Sequence, residues 1–193
     1  WLVIDLEHSV ITIREAEELI RIVDLCNVSP LVRVSSNDPV QIKRVMDAGA
    51  HGVVVPMINS VEDAEAIVEA VKYPTKGRRG IGLARAQGYG NNFEQYVNWV
   101  DDAPIIITQI EHIDGVKNLK EILSINDVQG FIVGPYDLSG SIGVPGQFGH
   151  PDVKNAMEEI SAIGKLSNKS MGIHIIEPNI KELNEKKEQG YNF

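Results

Sequence analysis

The chain has 193 residues, 43% hydrophobic and 23% charged, which is the make-up of one ordinary globular domain able to bury a sizeable core. A formal net charge of −9 argues against nucleic acid or an anionic membrane surface as the main partner, since both favour a basic face. No apolar run approaches the roughly 20 residues of a membrane span.

Taken in chain order, the sequence alternates two kinds of element. An apolar run at 2–5 predicts a strand. Thr12 and Glu15 then form a capping box, followed by Ala16, Leu19, Ile20 and Val23 at helical spacing. Cys26 closes that stretch. As the single cysteine it can form no internal disulfide, which fits a reducing, cytoplasmic setting, and it is expected to be a small buried thiol. A second strand is predicted at 31–34, then Asp38 as a cap with Pro39 at the first helical position, and Ile42, Val45 and Met46 as a buried stripe. The run 53–56 predicts a third strand, and Ser60 opens a helix carrying Ala64, Ile67, Val68 and Val71 on one face. Strands follow at 105–110, 131–134 and 172–176. Between and after them come helices marked by Leu119, Ile122 and Leu123, by Val153, Met157 and Ile160, and by the span from about Asn179 to Gln189.

The strands are continuously apolar rather than alternating, as in a parallel sheet covered on both faces. Strict alternation with helices implies right-handed βαβ units, hence either a doubly wound sheet or a barrel. No Gly-rich dinucleotide fingerprint follows the first strand, which weakens the first option. Residues 74–92 and 135–151 are too long for plain connections and read as lids or binding loops.

Polar groups cluster where strands end. Asp5, Glu7 and His8 follow the first, Arg33 lies in the second, Gln109 and Glu111 close the fourth, and Asp137 follows the fifth. In a parallel barrel these positions gather on one face, where active sites are built. Asp114 and Asp38 are expected to be helix caps. Glu111 and Asp137 offer oxygen-only ligation suited to Mg²⁺ or Mn²⁺, with Co²⁺ and Zn²⁺ as further candidates, and with water and a chelating substrate completing the shell. Asp5 behind His8 would give an imidazole oriented by an acid, and Arg33 would suit a carboxylate or keto oxygen.

These residues lie in ordered motifs. Asp5-Leu6-Glu7-His8, Arg33 with Asn37-Asp38-Pro39-Val40-Gln41-Ile42-Lys43, Val55-Pro56-Met57, Arg79-Gly80-Ile81-Gly82 with Leu83-Ala84-Arg85-Ala86, Gln109-Ile110-Glu111 and Gly134-Pro135-Tyr136-Asp137-Leu138-Ser139 run over nearly the whole chain. Together they resemble the metal-dependent class II pyruvate aldolases of the HpcH/HpaI type. The resemblance implies a (β/α)8 TIM barrel, of which the six strands would be the second to seventh. It implies that Glu111 and Asp137 are the metal ligands, that His8 with Asp5 is the acid/base, and that Arg33 holds the pyruvate enolate. Gln109 and the backbone of Gly134, Tyr136 and Asp137 would contact substrate. Glu7, Asp47 and Arg85 would support the site or reach a neighbouring subunit, with Asp47 offered to that neighbour's site. A homo-oligomer, trimer or hexamer, is implied as well. The substrates implied are a 2-oxo acid and an aldehyde.

There are departures. Gly82-Leu83-Ala84-Arg85 is one residue shorter than the usual loop, Tyr136 is bulkier than the small residue common there, and Ile176-Glu177-Pro178-Asn179 differs near the last strand. These touch the aldehyde pocket rather than the chemistry. Two other readings stand beside the aldolase. One is a malyl- or citryl-CoA-type lyase, whose CoA phosphate would meet Lys76, Arg78 and Arg79, although a solvated charged loop is the preferred reading there. The other is a non-catalytic barrel of the same family. Lys43, Lys72 and Lys76 lie on no predicted strand, so no imine-forming lysine is expected. Trp1 on an apolar run and the stop at Phe193 lead to the expectation of one catalytic barrel domain over 1–193 that continues at both ends.

Overall fold

The computed structural model describes residues 1–175 and 179–193. Six strands and nine α-helices are found among them. The strands are β1 (Leu2–Asp5), β2 (Pro30–Arg33), β3 (Gly52–Val55), β4 (Ile105–Ile110), β5 (Gly130–Val133) and β6 (Ser170–Ile173). The helices are α1 (Ile13–Leu25), α2 (Pro39–Asp47), α3 (Val61–Val71), α4 (Phe93–Asp102), α5 (Ile113–Lys117), α6 (Leu119–Leu123), α7 (Pro135–Ser141), α8 (Pro151–Leu166) and α9 (Ile180–Glu188). The chain divides into two compact units, Trp1–Pro56 with Glu65–Ile106, and Met57–Ala64 with Ile107–Phe193. Among the described residues no helix is long and apolar enough to cross a membrane.

In the first unit β1, β2 and β3 pair in parallel, with Asp5 opposite Arg33 and Val32 opposite Val53. Ile105 enters beside them by donating its N–H to the His51 carbonyl at 3.0 Å. β2 starts at Pro30, one residue before the apolar run. A proline fits the first strand position because it needs to offer only its carbonyl, which accepts from the His51 N–H at 2.8 Å. β3 likewise starts at a glycine, because a Cβ on Gly52 would meet the Ile105 carbonyl oxygen at 2.1 Å. Thr12 caps α1 with Glu15 reaching back, and Asp38 caps α2 through the N–H groups of Val40 and Gln41, both as the sequence predicts. Ile20, Leu31, Ile42, Val45, Met46, Ile67 and Val71 are fully buried. Each such side chain contributes about 1.5–3 kcal/mol relative to exposure. By contrast Trp1, just before β1, and Leu2 and Val3 within it are exposed.

Two expectations in this unit need correction. Cys26 is exposed, because it sits at the C-cap of α1 beyond the buried stripe, where the chain turns through a left-handed Asn27. Residues 74–92, expected as a lid or binding loop, are open only in part, with Ile81, Leu83 and Tyr89 exposed. Gln87 and Arg79 are buried, a 3-10 turn spans Arg85–Gly90, and the unpredicted α4 comes next, packing Tyr96 and Val100 against Tyr73.

In the second unit β4, β5 and β6 pair in parallel, with Gln109 opposite Ile132 and Phe131 opposite Met171. Phe131, Leu119, Ile122 and Ile160 are fully buried. The helix predicted around Leu119 is two short ones, α5 and α6. The Asp114 cap is corrected as well: the His112 imidazole accepts the Asp114 N–H at 3.1 Å, and Asp114 itself pairs with Lys117 at 2.8 Å. Residues 135–151, expected as a loop, begin with α7, which Pro135 starts at the first helical position. Ser139 pins the turn beyond α7 by accepting from the Gly146 N–H and donating to the Tyr136 carbonyl. Asn179, where the sequence begins the last helix, is the N-cap of α9. Ile176, Glu177 and Pro178, and with them the last predicted strand residue and most of the departing segment, lie outside the described residues.

Candidate active-site residues

The first unit brings four predicted residues together. Register places Asp5 and Arg33 opposite each other at the ends of β1 and β2. The Arg33 guanidinium then forks onto both Asp5 oxygens, from Nε at 2.9 Å and Nη2 at 2.6 Å. Its Nη1 lies 3.2 Å from a Glu7 oxygen. The tight turn after β1 is closed on Asp5, whose Oδ1 accepts the N–H of Glu7 at 2.9 Å and of His8 at 3.3 Å. Burial pushes the Asp5 carboxyl up, but the Arg33 guanidinium and these backbone donors outweigh it and hold the group below its ordinary range.

His8 does not sit as the motif suggests. Its imidazole is 66% exposed and lies 3.7 Å from Glu7, while Asp5 meets only its backbone N–H. The physical reason is that both Asp5 oxygens already serve the Arg33 fork, a stronger charge-assisted contact than an imidazole offers. Glu7, expected only as a supporting residue, is therefore the acid that faces both His8 and Arg33.

The second unit gathers Gln109, Glu111, Gly134 and an unpredicted contributor. Glu111, just past β4, is only 2% exposed. Its Oε1 accepts the Met57 N–H at 2.8 Å, and its Oε2 accepts from the Gln109 amide at 2.6 Å. Met57 aims that N–H from a left-handed backbone, φ 56°, a conformation that disfavours a side-chain-bearing residue and tends to mark functional sites. Asp137, in the first turn of α7, is exposed, as is Tyr136, whose ring meets Phe148 edge-on at 5.0 Å. The N-cap of α7, Gly134, supplies no capping side chain.

A divalent ion fits this donor set. A Cβ on Gly134 would come within 2.8 Å of Glu111 Oε2, so glycine keeps open the space beside the buried carboxylate. Among the described residues no group of three or more His, Cys, Asp or Glu converges. Glu111 with Asp137 as a second carboxylate would leave positions for water and substrate, which suits Mg²⁺-like, oxygen-preferring ions better than a closed zinc site.

The remaining predicted residues make contacts of their own within the first unit. Arg85 donates to the Ala48 carbonyl at 2.9 Å and meets Asp24 at 3.2 Å, beyond the C-terminal end of α2. Asp47 closes α2. The basic loop is not solvated throughout: Lys76 pairs with Asp101 and Asp102, Arg78 pairs with Glu69, and Arg79 is buried.

The family model for HpcH/HpaI aldolase/citrate lyase matches residues 1–193. The chain belongs to the HpcH/HpaI aldolase/citrate lyase family. It is 38% identical over 175 residues to the 4-hydroxy-2-oxo-heptane-1,7-dioate aldolase of Klebsiella pneumoniae, covering 90% of this chain and 66% of that protein. The enzyme of the same name from Escherichia coli is 37% identical over 177 residues, with 91% and 67% covered. The chain thus spans about two thirds of the length of these curated relatives. A crystal structure of an HpcH/HpaI aldolase/citrate lyase family protein from Burkholderia cenocepacia superposes with a TM-score of 0.91 at 31% identity, covering 99% of this chain and 76% of that one. Membership of this HpcH/HpaI family, one of metal-dependent aldolases, implies a divalent metal.

Proposed function

We propose that this HpcH/HpaI family member is a carbon–carbon lyase that cleaves a 4-hydroxy-2-oxo acid to pyruvate and an aldehyde, and catalyses the aldol addition in reverse. The buried Glu111 carboxylate, gripped by Gln109 and the Met57 N–H beside the space that Gly134 keeps, carries the reading. The names of the relatives, each a 4-hydroxy-2-oxo-heptane-1,7-dioate aldolase, support the substrate class. The TM-score of 0.91 supports a complete (β/α)8 barrel in the whole protein.

Glu111 and Asp137 would hold Mg²⁺ or Mn²⁺, which when bound supplies Lewis-acid stabilisation of the charge developing on the 2-oxo group. His8 takes the proton of the substrate 4-hydroxyl. The C3–C4 bond then breaks, C4 leaves as the aldehyde carbonyl, and its electron pair passes into the pyruvate enolate. Arg33, held rigid by Asp5 and Glu7, presents its guanidinium to the enolate oxygen. The proton held by His8 is returned to C3, which gives pyruvate and restores the neutral imidazole. Glu7, 3.7 Å from the His8 ring, steadies the imidazolium that forms. The backbone of Gly134, Tyr136 and Asp137 binds the pyruvate carboxylate, and Gln109 contacts substrate beside Glu111. The active protein is a cytoplasmic homo-oligomer, trimer or hexamer, in which Asp47 is offered to a neighbouring copy's site. No described strand carries a lysine, which supports a reading without an imine intermediate. The pairing of Lys76 and Arg78 and the burial of Arg79 weigh against the CoA-thioester alternative.

The test is a coupled pyruvate-release assay on full-length protein with several hydroxy-oxo acids. Turnover should vanish on chelation, return with added Mg²⁺ or Mn²⁺, and be lost in Glu111→Ala. Activity that survives complete metal removal would sink the proposal.

A further inference from the structure

We infer that Arg79 is a positioning residue for Asp47, holding that carboxylate ionised and aimed from inside the first unit. The inference rests on the reading that Asp47 serves a neighbouring copy's site.

Arg79 is only 2% exposed. Its Nη2 donates to the Tyr96 hydroxyl at 2.9 Å. Its guanidinium carbon lies 4.3 Å from the Tyr73 ring centroid and 5.4 Å from that of Tyr96. Ring faces and a phenol hold a cation without neutralising it, and a buried unneutralised charge is costly. An apolar side chain of similar volume would fill the same space between two tyrosines more cheaply. An arginine placed here is therefore best explained by its charge.

The groups lacking protein partners identify where that charge is directed. Arg79 Nε and Nη1 find no acceptor, and the buried Oδ1 of Asp47 finds no donor. These needs are complementary, and one intervening water accepting from the guanidinium and donating to the carboxylate meets both. Gln87 Oε1 is also buried and without a donor, while the Gln87 amide donates to the Tyr73 hydroxyl and the Gly82 carbonyl. The backbone provides a second link. The Tyr96 hydroxyl that accepts from Arg79 donates in turn to the carbonyl of Met46, the residue before Asp47, at 3.4 Å.

Burial pushes the Asp47 carboxyl above its ordinary range, opposed first by Arg79 and then by Lys43 one turn back on α2. The Tyr96 phenol faces it from α4. On the far side Arg85 contacts Ala48, its charge met by Asp24. Arg79 is thus the largest influence keeping a half-buried acid charged.

The test is the pH profile of kcat/KM for full-length enzyme carrying Asp47→Asn, Arg79→Met, Arg79→Lys, Tyr96→Phe and the Arg79→Met/Asp47→Asn pair. Asp47→Asn should lower kcat/KM; if it changes nothing, the reading of Asp47 fails, whatever Arg79 does. Given that loss, Arg79→Met should move the acid limb up by about one pH unit, an approximately tenfold loss below the limb that disappears above it. Arg79→Lys should restore the wild-type limb, and Arg79→Met should add nothing once Asp47 is Asn. Tyr96→Phe, which keeps the ring but cuts the link, should shift the limb in the same direction and covers the case in which Arg79→Met fails to fold. A loss equal at every pH, additivity with Asp47→Asn, or an unmoved limb in Tyr96→Phe would overturn the inference.

Discussion

The Gln109 amide donates to Oε2 of Glu111 at 2.6 Å, and both side chains are almost wholly withdrawn from solvent, at 4% and 2% exposure. Two residues apart at the end of β4, they share one face of the strand. Gln109 therefore orients the Glu111 carboxylate, in addition to the substrate contact proposed for it. Gln109→Leu should lower divalent-metal affinity by about 10- to 100-fold, the usual effect of removing a group that orients a ligand. Mn²⁺ titration of the full-length protein, followed by calorimetry, reads this directly. Unchanged affinity with a raised KM would mean that Gln109 serves substrate alone.

Arg33→Lys keeps the charge but loses the fork. A lysine cannot reach both Asp5 oxygens and Glu7 at once, so the cation proposed to face the enolate loses its fixed orientation. The expected result is a fall in kcat/KM of about 100-fold, typical of a misplaced reacting group. Stability should fall by less than about 1 kcal/mol, since Asp5 is partly solvated. Steady-state pyruvate release and thermal melting separate the two effects. Wild-type kinetics in the lysine variant would remove Arg33 from the mechanism.

Much of this was legible in the sequence, for identifiable reasons. The strands appeared as β-branched runs and α1 and α2 as caps followed by stripes, because burial and capping are local requirements written in residue type. Strand starts at Pro30, Gly52 and Gly130 were hidden, because close backbone approach selects residues that no apolar pattern contains. The helix α4 carried a signal in Tyr96 and Val100, four residues apart, but the Gly- and Arg-rich stretch before it masked the pattern. Within the site, chain order placed Glu7, His8, Arg33, Gln109 and Glu111 at strand ends. It could not say that Arg33 would take Asp5 away from His8, since that depends on register and on competition between donors. Nor could it reveal the backbone N–H of Met57 on Glu111, which has no side-chain signature.

Asp5 also sets a pH dependence of stability. Its carboxyl is held below its ordinary range in the folded state, so the stabilisation it gives is complete above the unfolded value of about 3.9. That stabilisation is lost as pH falls through the depressed folded value. Asp5→Asn should accordingly be less stable than wild type at pH 7, and the gap should close as the medium is acidified below about pH 4. Urea midpoints measured from pH 7 to pH 3 give the gap. One that widened on acidification would contradict the Arg33–Asp5 assignment.

Gly134→Ala isolates the space beside the proposed metal ligand. The φ of Gly134 is −98°, which alanine adopts without strain, so any effect comes from the added methyl. That methyl would meet Glu111 Oε2 at 2.8 Å and Glu111 Cβ at 3.1 Å. The carboxylate, already gripped on both oxygens, must then give up the Gln109 or the Met57 contact to move away. Overpacking of this kind costs about 1–3 kcal/mol, which taken from the ligand's orientation corresponds to a loss of about tenfold or more in metal affinity. Gly140→Ala is the matched control, since a Cβ there meets nothing within 4 Å, and inside α7 it should be neutral or mildly stabilising. Circular dichroism should be unchanged in both variants, with metal affinity lost in the first alone. Equal affinities would mean that the space beside Glu111 is not where the cation sits.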